Sequence, residues 1–375
     1  MKKIFILISF AVMISLSCTD TNGKFQTNTT GESQGDSTSS DEGITSEWRE
    51  YLQSSDDGLW EDIEEHFISY NPGGYFTDPE AMAPMVYKPY SICTAGDTVF
   101  VADAGTQEIV ALTNEGELIW KVGGAGEGPG NFSLVTTLAV SDRYVAALNI
   151  NLGRIDFFYR DGSFSHCLNF TGAQDIAAID DTTFVVGSTL EPGGDLHILN
   201  SEEGIIRSFG EAEMIHLRNV PRIDLLRICP GENNRIAVFN RYEGLLAIYD
   251  IETEECIYRG SRVYPSSPED RVRQYPIGGN AFLGREGMIN ILFPNYMDDG
   301  SFLSDPDYVD FAQVTAVDRY DWDGNYLDSY CLPDSSLNYA VLLSDGRLVV
   351  RSFSEETLCI FDDTFQDSLP VNDYH

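Results

Sequence analysis

Two kinds of tight turn recur in step along this chain, and that repetition limits its fold more than any other feature. One series is Gly96-Asp97, Ser141-Asp142, Asp180-Asp181, Pro230-Gly231-Glu232, Gly284-Arg285-Glu286-Gly287 and Ser344-Asp345-Gly346. An apolar run rich in β-branched and aromatic residues follows each: VFVA, YVAAL, FVV, IAVF, INILF and LVV. The other series is Asn114-Glu115-Gly116, Arg160-Asp161-Gly162, Glu202-Glu203-Gly204, Glu252-Thr253-Glu254, Asp321-Trp322-Asp323-Gly324 and Asp362-Asp363. Each of these ends another apolar run (IVAL, IDFFY, LHIL, LAIY, VTAVDRY, LCIF). Short apolar runs bounded by Gly, Asp and Asn are strands joined by hairpins. Both series count six, at a spacing of roughly 40 to 50 residues.

One four-stranded antiparallel meander per repeat is the period of a propeller blade. The expected fold is all-β: a six-bladed β-propeller of four-stranded antiparallel blades over 89–370, with an N-terminal signal, flexible tether and short cap segment before it. The first blade, Pro89 to Phe132, carries the fullest pattern. Its VADAGTQ at 101–107 followed by GGAGEGPGNF at 123–132 looks like an NHL-type repeat and resembles the glycine-rich signature of six-bladed, TolB-like propeller lipoproteins of Bacteroidota. The resemblance implies the fold and no particular activity, because propellers host many functions.

The amino terminus reads as an export signal. Residues 1–17 have a Lys2-Lys3 head and an apolar core too short to span a bilayer, ending in Ser15-Leu16-Ser17 before Cys18. Ser17-Cys18 resembles a bacterial lipobox, with Ser15 in place of the usual Leu; the alternative is an unlipidated signal cut nearby. Lipidation at Cys18 implies an outer-membrane anchor, since Asp20, not residue 19, is the first acid after the cysteine. Residues 18–46 are rich in Ser, Thr, Gly and Asn, the composition of a flexible tether. Residues 47–88 are expected to be a cap or closing segment, although each blade reads as complete from 89–370 without it; 371–375 form a tail.

Composition excludes one class of partner. With 23 basic and 60 acidic residues the net charge is −37, whereas nucleic-acid binding needs a positive face. The lipid anchor is then the membrane attachment, because such a surface is repelled by anionic lipid. After Cys18, six cysteines remain (93, 167, 229, 256, 331, 359). Each falls on or beside a strand, far from the others, and they read as free, mostly buried thiols. No Cys-x-x-Cys occurs and the five histidines are scattered, so neither a zinc site nor a thiol–histidine pair is expected. No catalytic residue is nominated.

In a blade that runs outward from the axis, the turns after the first and third strands share one face. The turns after the second strand and the blade-to-blade links share the other. All long connections here fall on the second face: 123–133, 210–224, 260–279 and 294–311. Loops on a rigid scaffold are where binding usually resides. On this rim the residues ending each second strand are polar: Asp103, Asn149, Ser188, Asn240, Asn295 and Ser352. Two readings fit them, turn caps or a ligand or calcium funnel. The funnel follows from a likeness to gluconolactonase-like propellers, whose first-blade glutamate is missing here. The 294–311 insertion interleaves Asp298, Asp299 and Asp305 with Phe302 and Tyr308, a mixture suited to carbohydrate or peptide contact or to a solvated loop. Arg262, Arg271 and Arg273 in the 260–279 link can grip an anionic group or pair with neighbouring acids. Three functions remain open: a lipid-anchored scaffold for a protein or glycan partner, a calcium-dependent lactonase- or lyase-like enzyme in the funnel, and a structural lipoprotein.

Overall fold

The computed structural model describes residues 72–78, 80–188, 195–210, 226–241, 245–261, 280–284, 287–294, 315–332, 337–352 and 356–361. Cys18, the signal, the tether and the tail lie outside these residues.

After β1 (Pro72–Tyr75) come six sheets in sequence. The first holds β2 (Pro89–Ala95), β3 (Thr98–Asp103), β4 (Glu108–Thr113) and β5 (Leu118–Gly123). The second holds β6 (Val135–Val140), β7 (Tyr144–Asn149), β8 (Arg154–Tyr159) and β9 (Phe164–Asn169). In the third are β10 (Ala173–Ala178), β11 (Thr183–Ser188), β12 (Leu196–Asn200) and β13 (Gly204–Phe209). The fourth runs β14 (Leu226–Pro230), β15 (Arg235–Asn240), β16 (Leu245–Asp250) and β17 (Cys256–Ser261). The fifth runs β18 (Ala281–Leu283), β19 (Ile289–Pro294), β20 (Thr315–Tyr320) and β21 (Tyr326–Leu332). The last carries β22 (Leu337–Leu342), β23 (Leu348–Ser352) and β24 (Thr357–Phe361). All neighbours within a sheet are antiparallel, and the first strands β2, β6, β10, β14, β18 and β22 pack side by side in a closed ring. The protein is a six-bladed β-propeller.

The sixth blade departs from the expected strand count. Its order is β22-β23-β24-β1, so the outer strand comes from the N-terminal side and not from the chain after β24. Phe76 N–H donates to the Leu358 carbonyl at 2.8 Å, and the Thr77 and Thr357 hydroxyls meet at 3.2 Å. Phe76 itself is buried with Val99, Leu112 and Leu358, binding the joint into the seam between the sixth and first blades. The blade was expected to be complete without 47–88 because Asp362-Asp363 resembles the hairpin turns that precede a fourth strand; the edge it would have served is occupied by β1.

Burial falls with distance from the axis. β3, β7, β11, β15 and β23 are buried along almost their whole length, hence their continuous apolar sequence. The fourth strands are half open: Leu118, Ile119, Ile205 and Ile206 are exposed at their outer edges. Cysteines follow this gradient and not the expectation of general burial, with Cys229 on β14 buried but Cys167 and Cys256, on outer strands, exposed. Cys93, Cys167, Cys229 and Cys256 are free thiols. Blades join through apolar clusters spanning neighbours, such as Phe100, Ile109, Phe132, Val145 and Phe158 between the first and second. Burial pushes the thiols of Cys93 and Cys229 up to about 12, as expected of small hydrophobes.

Each described hairpin between third and fourth strands carries the same bulge. Register slips by one residue at Ala111/Leu112, Phe157/Phe158, Ile198/Leu199, Ile248/Tyr249 and Arg319/Tyr320. Gly116, Gly162, Gly204 and Gly324 supply the positive φ that this turn requires. Gly116 and Gly204 have nearly equal φ, 84° and 88°, but a Cβ on Gly116 strikes the Phe76 carbonyl oxygen while one on Gly204 meets open space. Gly204→Ala should therefore cost only the left-handed conformational penalty, about 1–2 kcal/mol. Gly116→Ala should cost a further 1–3 kcal/mol or so by pushing the closing segment off the first blade. Urea denaturation of both variants checks the difference; equal losses would mean that Phe76 is not held against the 113–116 turn.

Candidate functional site

The polar residues that end the second strands do form one rim. Each faces the start of its own first strand: Pro89 opposite Asp103, Val135 opposite Asn149, Ala173 opposite Ser188, Leu226 opposite Asn240 and Leu337 opposite Ser352. All five are fully buried. Asn295 lies outside the described residues.

Asp103 and Asn149 fasten the blade-to-blade links. The Asp103 carboxylate accepts the backbone N–H groups of Tyr87, Lys88 and Gly105 at 2.8 to 2.9 Å. Asn149 Oδ1 accepts Ser133 N–H at 3.1 Å, while its amide donates to the Asn131 carbonyl and to Asp156. Arg154 completes the clamp by donating to the carbonyls of Glu127, Gly128 and Asn131 and to Asp156. The glycine-rich 123–132 segment is thereby an anchored strap, with Phe132 fully buried against Gly123. Spent on backbone amides, the oxygens of Asp103 and Asn149 do not make a calcium-ligand set. Among the described residues no three His, Cys, Asp or Glu side chains converge as metal ligands.

Deeper at the same rim, four blades bring charged and phenolic side chains together at the axis. Arg227 on β14 lies with its guanidinium carbon 4.6 Å from the centre of the Tyr339 ring on β22. Those first strands are not neighbours in the ring, since β18 stands between them, so the contact crosses its interior. Arg351 on β23 sits 5.2 Å over the Tyr90 ring of β2 and donates to the Tyr90 carbonyl. Asp175 on β10 accepts Ile228 N–H at 2.6 Å and lies 3.9 Å from Arg227. Arg241, one residue past β15, adds its charge to both Asp175 and Tyr339. Asp175, Arg227, Arg241, Tyr339 and Arg351 are all more than nine-tenths buried.

Burial sets the protonation of this cluster. It raises the Asp175 carboxyl to about 6 against the opposing pull of Arg227, and it pushes the Tyr339 hydroxyl up to about 12. Arg351 is lowered, first by burial and then by the like charges of Arg241 and Arg227, with Tyr90 and Tyr339 opposing.

None of these six residues was among the sequence candidates. A readable signal existed in the charged residue interrupting an inner apolar strand: LRICP, AQDIAA, LVVRS. The nominated loop residues Arg262, Arg271, Arg273, Asp298, Asp299, Phe302, Asp305 and Tyr308 lie outside the described residues.

No family model and no curated protein matches this chain. Among solved structures, a protein described as exported, from Bacteroides fragilis, aligns with a TM-score of 0.51 at 13% identity, covering 79% of this chain and 98% of its own. A member of the duf4221 family from Bacteroides vulgatus gives 0.54 at 10% identity, covering 78% and 96%. At such identities the likeness is one of fold.

The Asp175 shift makes a pH prediction. A carboxyl raised from about 3.9 to about 6 by folding favours the native state when protonated, so its contribution is present below pH 4 and is lost as pH rises through 6. Asp175→Asn should hold that contribution constant. Measured by urea denaturation, the stability of the variant relative to wild type should rise between pH 4 and pH 7, by at most about 3 kcal/mol. A flat difference would mean that Asp175 titrates as if in water.

Proposed function

We propose that this chain is a lipid-anchored, exported binding scaffold of the outer membrane. Its propeller, held on the 18–46 tether through Cys18, presents the rim of the second-strand ends to a protein or glycan partner. The observation that carries this reading is the axial cluster: four blades converge side chains suited to hydrogen bonding and ion pairing at the one rim that also bears the long connections. The opposite rim has short turns whose side chains are engaged among themselves, as in Asn114 with Asp97 and Ser344 or Arg143 with Glu202. A calcium-dependent lactonase- or lyase-like enzyme gains no support from Asp103 and Asn149, whose oxygens hold the chain links.

Both halves of the proposal can be measured. Cys18→Ala should abolish radiolabelled palmitate incorporation and release the protein from the membrane fraction. For the working face, glycan arrays and crosslinking in cells should register a partner that is lost on Asn151→Trp with Glu127→Arg, two exposed positions on the strand-end rim. The same partner should survive Asp142→Arg with Glu203→Arg, exposed on the opposite rim. The reverse pattern would move the working surface to the other side of the disc.

A further inference from the structure

We infer that residues 72–77 are an exchangeable arm: in a pair of molecules each arm leaves its own sixth blade and completes the sixth blade of the other copy. The inference goes beyond the binding reading and holds whichever rim carries the partner.

The arm supplies the shortest outer strand of the ring. β1 has four residues, where β5, β9, β13, β17 and β21 have six or seven. Pro72 brings no N–H to the ladder, Gly73 and Gly74 bring no side chains, and the register slips between Pro72 and Gly74. Glycine-rich strands specify their pairing weakly and are prone to exchange between chains. Tyr75 adds little, being 51% exposed. What holds the arm is its last two residues: Phe76, buried with Val99, Leu112 and Leu358, and Thr77, whose hydroxyl meets that of Thr357.

A hinge follows the arm. Among the described residues of 78–84 the hydrogen bonds close within the link itself, from Glu80 N–H to the Asp78 carboxylate at 2.9 Å and from Ala81 N–H to the Asp78 carbonyl at 3.4 Å. Asp78, Glu80, Met82 and Ala83 are exposed. Beyond the link the chain is fastened again. Lys121 donates to the Met85 carbonyl, Val86 is buried, and the N–H groups of Tyr87 and Lys88 go to Asp103. The closing segment thus divides at 78–84 into an arm on one side and the body of the propeller on the other.

The acceptor belongs wholly to the body. β24 offers the edge, and Phe76 is surrounded by Val99 and Leu112 of the first blade and by Leu343, Val349 and Leu358 of the sixth. The segment whose fit to that edge is on view is 72–77 itself, so the arm of another copy is the occupant the structure supports. Exchange makes the same arm contacts again in the other copy, and the closed monomer and the exchanged pair then differ only in the link and in the free energy of encounter. A net charge of −37 opposes encounter, and salt weakens that opposition. An exchanged pair is two-fold and displays two copies of either rim, so a partner with repeated groups is held twice.

Disulfide trapping tests this with the full chain without its signal, made with two different tags. One tagged chain carries Thr77→Cys and the other Thr357→Cys, so neither can join its own arm to its own edge. Mixed at high concentration and oxidised, they should form a 77–357 disulfide between the two tags, identified by mass spectrometry of the linked peptide. Its yield should be at least tenfold above that of a mixture in which the second chain keeps Thr357, and should rise several-fold when NaCl is raised from about 50 to about 500 mM. Thr77→Cys with Thr357→Cys in one chain, oxidised while dilute, should link within the molecule and stay monomeric by light scattering after concentration. Deleting Ala81 to Ala83 strains the return of each arm to its own blade and should raise the dimer fraction several-fold. Should the cysteine variants fail to fold, this deletion provides the second test, read as co-capture of one tag with the other. Absence of the link between tags, a dimer that carries no 77–357 link, or association unmoved by the shorter link overturns the inference.

Discussion

Closure of the ring is the constraint on which everything else depends. Six sheets packed face to face leave an open seam, and this chain joins it by building the last sheet from both of its ends. Thr77 and Thr357 meet across 280 residues of sequence. The entropy of closing so long a loop grows only with the logarithm of its length, so the short β1–β24 ladder and the burial of Phe76 can offset it. Once the seam is joined, the positions of the first strands around the axis are fixed. Side chains from blades that never touch in an open stack then come within contact distance, as Arg227 and Tyr339 do. The axial cluster is therefore a product of closure and not of any one blade.

What was legible in the sequence was what is decided locally. A bulged hairpin needs a residue at positive φ, and Gly116, Gly162, Gly204 and Gly324 announce it wherever they follow an apolar run. Asp161, Asp250 and Asp321 accept backbone N–H groups of their own turns, a contact made within five residues of sequence. The polar strand ends could likewise be found by counting from these turns. What closure decides was not legible. The segment PGGY has no strand pattern, since Pro and Gly are depleted in sheets, and it becomes a strand because β24 offers it an edge. The meeting of Arg227 with Tyr339 depends on which blades lie across the axis from one another, and no local pattern records that. Only an oddity remained visible, a charge within an apolar strand, and it was easily passed over in favour of polar residues at strand ends.

The buried arginines also bear on the acidity of the chain. A net charge of −37 opposes the approach of anions to the surface, while the axial cluster gathers guanidiniums away from water. These effects act over different distances. At physiological salt, exposed charges are screened beyond roughly 8 Å, whereas Arg227 and Arg351 act at contact on Asp175 and the two tyrosine rings. Outer acidity therefore bears on what approaches the protein, whereas the axial charges bear on how strands from different blades meet inside the ring.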